Sequence, residues 1–541
     1  GDQQRARADI EHESGPFLLF GAPGSGKTEV YLQLIAHALA QGGGAIVLVP
    51  EIALTPQLSD RFRGRFGDTV AVLHSGLTPR QRLDAWQQIR AGQVRIVIGA
   101  RSAVFAPIED LRVIVVDEEH DASFKQEEGV RYSARDVALV RARALSAVAV
   151  LGSATPSLET FERARAGHFR WLRLTTRPTA RPLPSVELVP LSVHRPDPET
   201  MLTARLLRAL RDTVNAGEQA ILFLNRRGFA TTLVCESCGA LTQCPDCSAP
   251  SMTYHLRRNR LLCHLCGHIE APPERCKACG EGELLHGNAG TERVELAVTR
   301  EVEGARVLRL DRDTSRGRGL VDTLAAFRAG EGNVLVGTQM LSKGHDFPGV
   351  TLVGILQADH GLGLPDLRAA ERTFQLITQV AGRAGRGDRP GRVLMQAYAV
   401  QHPAITCART HDFEEFATWE LARRRELGNP PFGHLALVRV SGPEEEAVKR
   451  RAGALAELLR VGVAQILAQH EGEGEPVALL GPVPSPIERI NKRTRWQLLL
   501  RAQARAPLRW LLRGLRPRLG ADGSSATATT ATVDVDPQSL L

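Results

Sequence analysis

The sequence predicts an α/β protein: two tandem parallel-sheet lobes, a cysteine-rich insertion inside the second lobe, and a small α+β domain of βαββαβ order at the C-terminal end. Three observations carry that prediction. A glycine-rich loop joins an apolar run to a helical pattern near the start; two successive sets of short, uninterrupted apolar runs follow; and four C-x-x-C pairs fall within positions 235–279. Continuous rather than alternating apolarity means that both faces of a sheet are covered, as in a parallel sheet between helical layers.

The loop comes first. Gly21, Ala22, Pro23, Gly24, Ser25, Gly26, Lys27 and Thr28 have the spacing G-x-x-x-x-G-K-T, with the apolar run 17–20 before them. Val30, Tyr31, Leu34, Ile35 and Ala38 then line one helical face,. Glycines let the backbone turn its N–H groups around an anion, and the helix start adds positive potential. Lys27 reaches the outer phosphates and Thr28 offers a hydroxyl to Mg²⁺, so the cofactor expected is ATP with Mg²⁺.

The first lobe, residues 1–175, continues with apolar runs at 45–49, 95–98, 113–116 and 147–151. Ligands of such sheets sit at the carboxyl ends of the strands. One of those ends reads Asp117-Glu118-Glu119-His120. Asp117 is expected to hold the metal through water, and Glu118 to orient or deprotonate the attacking water. The loop and this box together resemble the RecA-like lobes of superfamily 2 helicases with a DEAH-type box. Ser153 and Thr155 match that superfamily's third motif. Arg101, in GARSAVF, suits a phosphate of single-stranded nucleic acid, and Phe124, Lys125 and Tyr132, among polar neighbours just after the box, suit base stacking and phosphate contact,.

Residues 176–198 are rich in proline and are read as a linker between lobes,. The second lobe, 199–430, has buried runs at 220–224, 306–310, 333–336, 352–356 and 392–396. In its motif 334–350, Thr338 and Lys343 are assigned to the nucleic-acid strand and Asp346 to the nucleotide. In QVAGRAGR, Arg383 and Arg386 are three apart and read as one helical face, both directed with Gln379 at the γ-phosphate. Gly382, Gly385 and Gly387 make a poor surface helix and point to close packing,.

The insertion, 233–285, holds Cys235, Cys238, Cys244, Cys247, Cys263, Cys266, Cys276 and Cys279. Eight thiolates in four knuckles make two closed four-cysteine zinc sites, structural in character. Spacing leaves adjacent, nested and interleaved pairings open.

The last domain, 431–541, reads as strand, helix, two strands, helix and strand, the split βαβ order,. Positions 484–520 carry ten basic residues against one acid. Arg489, Lys492, Arg493 and Arg495 beside Trp496 combine phosphate contact with base stacking. The formal net charge of +8 permits a polyanionic partner, and no apolar run approaches the length needed to cross a bilayer,.

These pieces in this order, with DEEHDASFKQEEGVRYSARD, GTQMLSKGHDFPGV, NPPFGHLA and NKRTRWQLLL, resemble the PriA family of primosomal, replication-restart helicases over the whole chain. The resemblance implies a DNA-stimulated, ATP-dependent helicase of 3′-to-5′ polarity that acts at stalled or collapsed forks, promotes primosome assembly and loads the replicative helicase. It implies single-stranded and forked DNA, single-strand DNA-binding protein, primosome proteins and the replicative helicase as partners, and a monomer in the bacterial cytosol, associated with the nucleoid. It also implies nested zinc pairing: Cys235, Cys238, Cys276 and Cys279 on one ion, Cys244, Cys247, Cys263 and Cys266 on the other. Members of the family begin with a domain that captures the DNA 3′ end and a winged helix, whereas this sequence starts where the motor starts. An alternative of another class is a nucleotide-gated loading scaffold that binds forks without unwinding them.

Overall fold

The computed structural model describes residues 2–12, 15–50, 56–175, 183–197, 200–224, 233–245, 252–255, 260–263, 267–286, 291–310, 319–342, 347–385, 387, 389–469, 476–490, 493–522 and 528–540. The chain divides into two compact units, Gly1–Leu183 with Met340–Asp346, and Pro184–Gln339 with Phe347–Leu541.

The first unit is built on a seven-stranded sheet. From one edge its strands are Val70–Leu73, Ile96–Gly99, Gly44–Leu48, Leu111–Asp117, Val148–Ser153, Pro16–Gly21 and Arg170–Leu174. Every pairing is parallel. One core holds Leu18, Ile46, Ile114 and Leu151, and another holds Leu19, Val47, Val115 and Val150, neighbours in sequence that point to opposite faces,. That two-sided burial is why the runs read as unbroken apolar stretches. The two edge strands were not expected. Val70–Leu73 is only four residues long, and Arg170–Leu174 carries exposed arginines at 170 and 173 among its apolar residues.

In the second unit a six-stranded parallel sheet runs Val307–Leu310, Val334–Gly337, Gln219–Leu224, Val350–Leu356, Arg392–Ala397 and Ser185–Pro190. The last of these lies in the stretch expected to be linker. Pro184 precedes the strand and Pro190 ends it, and an edge position tolerates the missing N–H groups,.

The C-terminal part forms an antiparallel sheet in the order Val477–Ile490, Arg493–Ala502, His434–Gly442, Thr529–Val535 and Gly520–Asp522. Helices Glu445–Ala468 and Arg505–Leu515 cover the face that carries Ala436, Val438, Leu498 and Leu500. The βαββαβ order is as expected, with the short strand 520–522 added at one edge. Among the described residues, no helix is long and apolar enough to cross a membrane.

Candidate nucleotide site, metal centre and nucleic-acid surface

Three neighbouring strands of the first sheet end together. Register pairs Asp117 with Gly152 and Phe20 with Ser153, so the glycine loop, the acidic box and Ser153 share one edge. Gly24 and Gly26 have φ of 79° and 91°, left-handed backbone that lets the loop close back on the helix Lys27–Ala40,. Lys27 Nζ donates to the Gly21 carbonyl at 2.7 Å, and Gln3 Nε2 donates to the Ser25 carbonyl at 2.9 Å. Ser25 Oγ is buried without a hydrogen-bond partner among the described residues. An unpaired hydroxyl inside an amide-lined loop, next to a lysine, is a donor set that fits a phosphate.

Asp117 is half-buried at the end of its strand. Its carboxyl is pushed up to about 6 by burial and by the adjacent Glu118, while Lys27 and the Tyr31 hydroxyl, 2.9 Å from Oδ1, favour its charged form,. A divalent cation would offset that burial, and the residues present fit Mg²⁺ held by Thr28 and Asp117. Glu118 stands at φ 49°, a strained backbone for a residue with a side chain, and its buried Oε2 has no hydrogen-bond partner among the described residues,.

The remaining box residues are structural ties. His120 Nδ1 meets Ser153 Oγ at 2.8 Å, and Ser153 Oγ accepts from the Thr155 amide at 2.9 Å. Glu119 accepts from the Ser157 amide at 2.6 Å, Thr160 Oγ1 at 2.9 Å and Arg135 Nη1 at 3.1 Å. The acidic box and the GSATPS segment are thus tied to each other by side-chain hydrogen bonds. Sequence reading missed Tyr31 and Glu119: a tyrosine on the apolar face of a helix reads as core, and a second glutamate in a box reads as solvated charge.

The expected nucleic-acid contacts of this unit need correction. Phe124 is 3% exposed and packed in the core, so it presents no face to a base. A short turn capped by Asp121 tucks it inward. Lys125 is also buried. Arg101 donates to the Ser123 and Lys125 carbonyls at 3.1 and 2.7 Å, fixing that turn. Tyr132 is half-buried and lies edge-on to Phe105 with ring centres 5.0 Å apart.

In the second unit the helix Ala369–Ala381 carries Gln379 in its last turn and ends at Gly382. Arg383 follows in a turn, mostly buried, and so does not lie on a helical face as expected. The glycines act as expected: a Cβ at Gly387 would lie 2.1 Å from the Pro348 carbonyl oxygen, and the Gly385 amide donates to Val350 at 3.0 Å. Thr338 is half-buried just after the strand Val334–Gly337. Arg386, Lys343 and Asp346 lie outside the described residues, as do Cys247, Cys266 and Lys492.

Strand Leu233–Cys235 pairs with Leu284–His286, which brings the first and fourth knuckles together. The Sγ atoms of Cys235, Cys238, Cys276 and Cys279 all lie within 4.8 Å of one another, with the 235–279 and 238–276 pairs at 3.7 Å. A tetrahedral ion with Zn–S bonds of about 2.3 Å requires sulfur separations of about 3.8 Å, so these four fit zinc. Backbone amides of Glu281 and Gly282 pull the Cys279 thiol down to about 6, whereas burial pushes Cys238 up to about 12. Cys244 and Cys263 are buried beside Met252 and Leu261 in a separate small core.

In the C-terminal sheet, alternation divides the expected basic and aromatic cluster between two faces. Arg493 donates to the Ser441 and Ala528 carbonyls at 3.2 and 2.7 Å, and Arg495 is buried. Trp496 turns to the helical side, where Lys449 Nζ lies 5.9 Å from its ring centre. Arg489 alone of the described set is exposed.

Residues 1–164 match the DEAD/DEAH box helicase family and 288–388 the helicase conserved C-terminal domain, so fold and site define a two-lobed protein of the DEAD/DEAH-box helicase class. Residues 244–270 match the PriA DNA helicase Cys-rich region domain, and 425–538 the primosomal protein N C-terminal domain. The replication restart protein PriA of Treponema pallidum (strain Nichols) is 40% identical over 543 residues, covering 100% of this chain and 80% of that protein. That of Haemophilus influenzae (strain ATCC 51907 / DSM 11121 / KW20 / Rd) is 40% identical, covering 97% and 70%. The chain belongs to the PriA family of replication restart proteins. It spans 63% of the Bacillus subtilis (strain 168) relative, to which it is 46% identical over 95% of this chain.

Proposed function

We propose that this chain is the motor of an ATP-hydrolysing DNA helicase of replication restart. The observation that carries the reading is the shared sheet edge on which Lys27, the unpaired Ser25 hydroxyl, half-buried Asp117 and strained Glu118 meet. Lys27 and the loop amides bind the β- and γ-phosphates, and Glu118 takes the proton of the attacking water. Thr28 and Asp117 would hold Mg²⁺, which would supply charge neutralisation at the phosphates. Arg383 and Arg386, with Gln379, are assigned to the charge that develops on the transferred phosphoryl group, and Asp346 to the nucleotide.

The finer reading follows from the family. DNA stimulates turnover, translocation runs 3′ to 5′, and the substrates are single-stranded and forked DNA. Single-strand DNA-binding protein, primosome proteins and the replicative helicase are the partners, and the chain acts as a monomer in the bacterial cytosol, at the nucleoid. Two structural zinc ions are assigned, the second to Cys244, Cys247, Cys263 and Cys266. The domains proposed are 1–175, 199–430 interrupted by 233–285, and 431–541, with the edge strand Ser185–Pro190 taken from the 176–198 linker into the second lobe. Arg101, Phe124 and Lys125 serve DNA binding indirectly, by fixing the loop that presents Tyr132, while Thr338, Lys343, Arg489 and Lys492 are assigned to direct contact.

The test is ATPase rate with no DNA, single-stranded DNA and forked DNA, together with strand displacement on duplexes with a 3′ or a 5′ tail. Lys27→Ala is expected to abolish turnover while zinc content and circular dichroism stay unchanged. Turnover retained in that variant would falsify the site assignment.

A further inference from the structure

Helix Ala369–Ala381 leads straight into the Gly382–Arg383 turn, so whatever fixes its first turn also sets where that arginine stands. Two sequence-distant segments grip that first turn. One precedes the C-terminal sheet: Arg424, 2% exposed, donates to Glu371 at 2.8 Å, to Glu420 at 3.0 Å and to the Pro430 carbonyl at 3.3 Å. The other follows that sheet. After strand Thr529–Val535 the chain leaves the sheet and reaches back to Asp366, whose Oδ2 accepts from Ser539 Oγ at 3.0 Å and from the Leu540 amide at 3.3 Å. Leu540 is 2% exposed. Asp366 also accepts from the Arg368 amide at 2.9 Å and from Arg372 at 2.8 Å, so it ties the tail to the helix start. Burial disfavours its charge, but Arg372, the Arg368 amide and Ser539 more than offset this and hold the carboxyl below the usual range,.

We propose that Asp366 is a positioning residue: the segment Ser539–Leu540, strapped to it, makes the C-terminal domain part of the mounting of the arginine helix, so that release of the strap slows phosphoryl transfer without loosening nucleotide binding. This rests on the ATPase reading above. The strap works because it is closed at both ends of the domain. Entry at Pro430 and exit at Leu540 hold the same helical turn, so a displacement of the domain is passed to the helix rather than absorbed by a loop.

The experiment uses the full chain with Leu540→Asp, which ejects a buried apolar side chain and sets a carboxylate beside Asp366, and with Asp366→Asn. Both variants are expected to lower kcat about fivefold with the affinity for a fluorescent ATP analogue unchanged, and the double variant to equal either single one, because they break one device. Ser539→Thr, which keeps the hydroxyl, is expected to retain kcat. Hydrogen exchange of amides 369–381 is expected to be about fivefold faster in Leu540→Asp, a readout that needs no turnover. Unchanged exchange in that helix, or kcat equal to the parent's in Leu540→Asp, overturns the strap. A parent chain that hydrolyses no ATP overturns instead the ATPase reading, and the exchange rates still decide whether the strap exists.

Discussion

Tyr31 donates a 2.9 Å hydrogen bond to Asp117 Oδ1, and the space its hydroxyl occupies exists only because residue 152 is glycine. A Cβ at Gly152 would stand 1.6 Å from that oxygen, with the phenol carbon at 2.8 Å. The bond favours the charged form of Asp117 against burial and the repulsion of Glu118. Removing it with Tyr31→Phe is therefore expected to raise the Asp117 pKa further. The acid limb of the kcat/KM profile for ATP should move up by roughly one pH unit, the worth of one hydrogen bond to a buried carboxylate. A limb that stays in place would show that Tyr31 is only packing.

The same burial makes Asp117 costly to the fold in the absence of a cation. Its folded-state pKa of about 6 exceeds the ordinary carboxyl value of 3.8, so between these values the native state holds a proton that the unfolded chain has lost. Stability falls as pH rises through that window, and the loss is complete above it. Asp117→Asn is thus expected to stabilise the metal-free protein at pH 8 by on the order of 1–3 kcal/mol, and by little below pH 4, while abolishing turnover. Urea unfolding of both proteins at the two pH values checks this; an equal gain at both would assign the effect to packing instead.

How far the sequence could be read follows the range of the forces involved. The phosphate loop, Asp117 and the five apolar runs of the first lobe were legible because each depends on local spacing and on burial of whole strands. Edge strands were not, since the exposed arginines at 170 and 173 dilute the apolar signal of Arg170–Leu174 and proline masks that of Ser185–Pro190. Phe124 misled because its neighbours are polar while the turn around it folds the ring under the surface. The spacing of Arg383 and Arg386 suggested one helical face, but spacing carries no information about where a helix stops, and it stops at Ala381. The link between Asp366 and Ser539 spans 173 positions, beyond the reach of any local pattern.

The zinc assignment predicts stoichiometry. Four thiols with opposed pairs at 3.7 Å already have the spacing of a tetrahedral site, and Cys279, pulled down to about 6, is largely thiolate at neutral pH. The parent is expected to release about two zinc ions per chain to a chromogenic chelator after mercurial treatment, and Cys238→Ser about one, because the inner set of cysteines is a separate site. Loss of both ions in Cys238→Ser would mean that the two sites fold together.

Arg424 supplies the last prediction. Its guanidinium is buried between Glu371 and Glu420, whose side chains are 4% and 6% exposed. Burial alone pushes the Glu420 carboxyl up, and Arg424 is the leading influence that pulls it down. Arg424→Ala leaves Glu371 with Arg368 at 3.4 Å but strips the buried Glu420 of its hydrogen-bonded cation and exposes it to the charge of Glu371, and it also removes a donor from the Pro430 carbonyl. The cost is expected to be about 3–5 kcal/mol near neutral pH, read from the guanidinium chloride midpoint at constant slope. Lowering the pH should recover part of it, because protonation of Glu420 removes the repulsion that the missing arginine had balanced. A loss that is the same at pH 5 and pH 8 would point to the cavity, rather than to the unpaired charge, as its source.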